Sequence, residues 1–118
     1  ATKVYVDAKW TIPATFQFQN GIEIIVMNNA KIEASGTIDA VEISAPVIVD
    51  LAVDGKIGEV NVKAAAVLSV EGKTTTAVPI KVSEKAAGAS VASSTPVDVK
   101  AAADISCNLT EYMTKRTF

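Results

Sequence analysis

An antiparallel all-β domain, a sandwich or barrel of seven to nine short strands with little helix, is the fold the sequence predicts. Three observations lead there. Apolar and polar residues alternate at period two along most of the chain, no stretch sustains a helical period, and turn dipeptides punctuate the alternation. Short strands joined by tight turns normally build an antiparallel sandwich or barrel.

The alternation starts at once. Val4, Val6, Ala8, Trp10 and Ile12 fall on one face of a first strand, with Tyr5, Asp7, Lys9 and Thr11 on the other. Pro13 ends it, because proline has no N–H for a sheet ladder. Phe16 and Phe18 mark a short second strand. Asn20-Gly21 is the strongest hairpin signal, since both residues tolerate the positive φ of a tight type I′ turn. Ile22 to Met27 barely alternates and reads as a strand buried on both faces, stopped by Asn28-Asn29. The pattern weakens from Lys31 to Ile43, where Gly36 marks a bend or bulge.

Val47, Val49, Leu51 and Val53 form the next face, and Asp54-Gly55 gives a second hairpin signal. Val60 to Val70 alternates as one long strand, followed by a turn at Glu71-Gly72. Thr76 to Val82 is a strand that Pro79 assigns to a sheet edge or a bulge. Ser83 to Pro96, small and nearly featureless, reads as a long surface loop with a helical turn at Glu84–Ala87. Val97, Val99, Ala101, Ala103 and Ile105 make the last clear strand. No internal repeat of fixed length is visible. One domain over 1–118 is expected, with residues 1–4 and 110–118 as extended arms.

Composition narrows the function. Of 118 residues almost half are hydrophobic, but Ala and Val dominate, with one Trp, two Tyr and three Phe. Small side chains bury little apolar area each, so burial against neighbours adds stability. The formal net charge is -2, and there is neither a basic stripe nor a row of aromatics, which argues against nucleic-acid binding. Apolar runs such as Ile24–Met27 are too short to span a bilayer as a helix. The lone Cys107 excludes an internal disulfide and fits a reducing compartment.

Catalytic chemistry has few candidates. With no His, neither a Ser-His nor a Cys-His nucleophile pair exists, and one Cys makes a zinc site unsupported. Ala86 to Ser90 is rich in small residues but lacks the spacing and lysine of a phosphate-binding loop. Asp50 and Asp54, with Glu59 across a turn, are the only carboxylates grouped by spacing, and they read as a solvated strand face. Cys107 lies in phase with Ile105 and Leu109, as a buried inert thiol would. Asn108-Leu109-Thr110 matches a glycosylation sequon, a pattern common by chance. No enzyme activity, cofactor, metal or small-molecule substrate is expected.

A structural subunit of a virion is the leading expectation: a small phage capsid decoration or cement protein, or another virion subunit such as a tail tube, put together in the host cytoplasm. Small size, Ala/Val/Thr-rich composition, a free thiol and a start that fits removal of an initiator Met motivate it. The expected partners are further copies of the chain and a major capsid or other lattice protein. The contact residues expected are Val4, Val6, Ala8 and Trp10 at one end and Tyr112 and Phe118 at the other. The second expectation is an exported subunit of a cell-surface fimbria, assembled by donor-strand exchange through Thr2–Ile12. Ile12-Pro13-Ala14 through Ile22 to Asn29 resembles the start of some chaperone–usher pilins, which implies that role. Cys107 and the lack of an alternating final strand in Glu111–Phe118 depart from the pilin pattern. A sugar-binding module would need coplanar aromatics, which the sequence does not offer.

Elemental analysis of the purified protein is expected to show no stoichiometric transition metal. A tightly held zinc or iron would overturn this reading.

Overall fold

In a computed structural model, the chain winds as a parallel β-solenoid, and every strand pairing is to the coil before or after it. The structure describes residues 2–7, 10–12, 17–18, 22–33, 35–52, 54–71, 77–95, 97–102, 106–109 and 115–117. It describes the side chains of 3–7, 22–33, 36–52, 54–71, 77–95 and 97–102. The strands are β1 (Thr2–Val6), β2 (Trp10–Ile12), β3 (Gln17–Phe18), β4 (Ile22–Val26), β5 (Ala30–Ile32), β6 (Ser35–Ile38), β7 (Ala40–Ile43) and β8 (Ile48–Ala52). They continue as β9 (Asp54–Ile57), β10 (Val60–Val62), β11 (Val67–Glu71), β12 (Val78–Val82), β13 (Ser90–Ser93), β14 (Val97–Ala101), β15 (Ser106–Leu109) and β16 (Lys115–Thr117).

Three parallel sheets result. A seven-stranded sheet runs β1-β4-β7-β10-β12-β14-β16, a six-stranded sheet runs β15-β13-β11-β8-β5-β2, and a three-stranded sheet runs β3-β6-β9. Side chains alternate across each strand, so one set points into the coil and the other to solvent. The inward sets stack in columns. Val4, Ile24, Val41, Val60, Ile80 and Val99 share one column of the seven-stranded sheet; Val6, Val26, Ile43, Val62, Val82 and Ala101 share the next. In the six-stranded sheet Ala30, Val49, Leu68 and Val91 align, as do Ile32, Leu51, Val70 and Ser93. Apart from the half-buried Val4, all these residues are buried. Each Val or Ile contributes about 1.5–3 kcal/mol of burial. The hydrophobic side chains that fill this interior are Val, Ile, Leu and Ala.

Polar groups inside are satisfied locally. Ser93 Oγ accepts the Thr95 N–H at 3.1 Å and donates to the Thr95 carbonyl at 2.5 Å, which lets a serine take an inward position. At one corner the Asn28-Asn29 pair ties three coils together. The Asn28 amide donates to the Asp7 carbonyl at 3.4 Å, and the Asn29 carboxamide oxygen accepts the Ile48 N–H at 2.9 Å. The equivalent corners of the next two coils close with short turns, Val47 N–H to the Ala45 carbonyl and Ala66 N–H to the Ala64 carbonyl.

The antiparallel sandwich or barrel is therefore overturned, and with it the count of seven to nine strands. Period-two alternation reports a half-buried strand and says nothing about its partner. The expected strand Val4–Ile12 is two strands in different sheets, β1 and β2, and Val60–Val70 is β10 and β11 around a corner at Ala64-Ala65. Asp54-Gly55 is no hairpin: both residues lie within β9, paired in parallel with Ser35-Gly36 of β6. Asn20-Gly21 lies outside the described residues, but the flanking β3 and β4 belong to different sheets and do not pair. Pro79 is not on an edge strand. It sits in β12, between β10 and β14, one residue before the ladder to β10 begins at Ile80. Within Ser83–Pro96 a 3-10 turn at Glu84–Ala86 matches the expected helical turn, whereas Ser90–Ser93 is an interior strand, not loop. The turn expected at Glu71-Gly72 lies partly outside the described residues.

Two glycines are fixed by the close approach of coils. A Cβ on Gly55, whose φ is +144°, would lie 2.1 Å from the Gly36 carbonyl oxygen, and one on Gly58 would lie 2.3 Å from that of Asp39. Both obstacles are backbone of the preceding coil. Gly88 also has positive φ, but a Cβ there would meet only the Ala65 methyl, at an ordinary 4.0 Å. Gly55→Ala is expected to destabilise by about 3 kcal/mol or more, from overpacking and backbone strain together, and Gly88→Ala by about 1–2 kcal/mol. Chemical denaturation checks this, and equal midpoints for the two variants would contradict the stacked-coil geometry.

Candidate assembly surface

The chemistry-bearing side chains lie on the outward rows of the two larger sheets. On the seven-stranded sheet the row Lys3, Glu23, Ala40, Glu59, Pro79, Asp98 is continued in register by Lys115, and beside it runs Tyr5, Ile25, Glu42, Asn61, Lys81, Lys100. Rows of this kind put residues from successive coils about 4.8 Å apart at the backbone, so charges meet across coils. Lys63 Nζ lies 2.6 Å from Glu42 Oε1, and Lys81 Nζ lies 3.6 Å from Glu59 Oε2. Ser44 also donates to Glu42 at 3.0 Å, and Asn61 donates to Glu59 at 2.7 Å. The Lys63 and Ser44 hydrogen bonds hold the Glu42 carboxyl below its ordinary range, and Asn61 followed by the charge of Lys81 does the same for Glu59.

Where Ala40 separates Glu23 from Glu59, the methyl group leaves a notch of about 170 Å³. Ile25 and Ala40 give it apolar lining, Glu23, Glu42 and Glu59 supply carboxylates, and Lys3 contributes one ammonium. Tyr5 and Met27 extend exposed apolar surface beside Ile25.

The six-stranded sheet carries a different set. Ile48 and Val67, 59% and 47% exposed, are direct register neighbours on β8 and β11. Lys31 pairs with Glu33 at 3.6 Å. Asp50 and Glu71 come together although they sit 21 residues apart, because β8 and β11 are adjacent strands. One Asp50 carboxylate oxygen is sealed from solvent with no hydrogen-bond partner. The charge of Asp50 beside Glu71, together with their hydrogen bond, raises the Glu71 carboxyl above its ordinary value.

The carboxylates grouped by sequence spacing separate here. Asp50 lies in the six-stranded sheet, Asp54 in the three-stranded sheet, and Glu59 beside β10 of the seven-stranded sheet. Among the described residues no group of three His, Cys, Asp or Glu is placed to hold a metal. Asp50–Glu71 was not visible from spacing, since only the coil period brings those residues together. Among the expected contact residues, Val6 is core and Val4 is half-buried, both in inward columns of β1. Trp10 pairs in register with Ala30 of β5. Ala8, Tyr112 and Phe118 lie outside the described residues. Cys107, on β15, is the register partner of the buried Val91. Asn108 of the sequon is also on β15, and Thr110 lies outside the described residues.

No family model, curated protein or solved structure matches the chain. The site is therefore read from its geometry alone. No helix among the described residues is long and apolar enough to cross a membrane.

The three shifted carboxyls set opposing pH trends. Glu71 is raised in the fold, so its contribution is full below the ordinary value of 4.5 and is lost as pH rises through its folded value. Glu42 and Glu59 are lowered, so theirs is present above 4.5 and is lost as pH falls through their folded values. Glu71→Gln is expected to stabilise the protein at pH 7, and Glu42→Gln to destabilise it. Each effect is below about 1 kcal/mol at these solvated positions. Melting curves at pH 4 and pH 7 check the signs, and a lower melting temperature for Glu71→Gln at pH 7 would refute the assignment.

Proposed function

We propose that the chain is a non-catalytic structural subunit that associates with copies of itself in a larger protein assembly. The observation that carries this reading is where the chemistry sits. The interior is a continuous apolar core, while the charged and exposed apolar side chains form flat rows on the outer faces. Flat ladders of this kind suit contact with another protein surface better than enclosure of a small substrate. The Tyr5–Met27 and Ile48–Val67 surfaces supply apolar area for such contacts.

A virion is the setting proposed, with the subunit docking on a protein lattice. This finer reading rests on size, composition and the lone thiol. The division of Thr2–Ile12 favours this reading over the fimbrial one. A donor strand must be one extended segment, and Thr2–Ile12 is divided between two sheets as β1 and β2.

Analytical ultracentrifugation across a concentration series is the test. The isolated protein is expected to sediment as a dimer or larger species at high micromolar concentration. A species that stays monomeric throughout, and binds no lattice protein from its source particle, would end the proposal.

A further inference from the structure

We draw no further inference here: the strongest candidate, the notch between Glu23, Ala40 and Glu59 on the outer face of the seven-stranded sheet, has its Glu42 and Glu59 already paired with Lys63 and Lys81, and nothing in the structure shows what covers it.

Discussion

Coil-on-coil hydrogen bonding is the constraint on which the molecule depends. Each coil obtains its sheet partners from the coil before and the coil after, so strand registers must agree around the whole circumference. A shift by one residue would turn every inward side chain of that strand outward. The apolar columns resist such a shift: Ile24, Val41, Val60 and Ile80 are all fully buried at one level. The backbone then approaches so closely that Gly55 and Gly58 have no room for a Cβ. Corner length is freer. The longer corner at Ser83–Ala89, with its 3-10 turn, precedes β13, which still lands in register on β11.

The same regularity brings charges together that the chain itself keeps apart. Outward rows place residues of successive coils side by side, and their signs decide whether the ladder is strengthened. Glu42 with Lys63 strengthens it. Asp50 with Glu71 does not, and the raised carboxyl of Glu71 records the cost. The adjacent Lys81 and Lys100 are the matching case in cations, only partly relieved by Glu59. These pairings are unfavourable to an isolated subunit, whose fold is fixed by the apolar columns.

Strand content was legible in the sequence because alternation is a property of one strand. Alternation groups Val4 with Val6 and Val60 with Val62 on shared faces, and in the fold those faces point inward. Strand partnership was not legible. Alternation continues through corners such as Lys63–Ala66, so two strands in different sheets read as one. The repeat was hidden because its length varies. Successive members of the Val4, Ile24, Val41, Val60, Ile80 and Val99 column are 17 to 20 residues apart, and Leu68 and Val91 are 23 apart. Asp54-Gly55 carried the composition of a hairpin, but Gly55 is there for the coil beneath it. The charged face follows from the same hidden repeat: Glu23, Glu42, Lys81 and Lys100 form a pattern only once the coils are aligned.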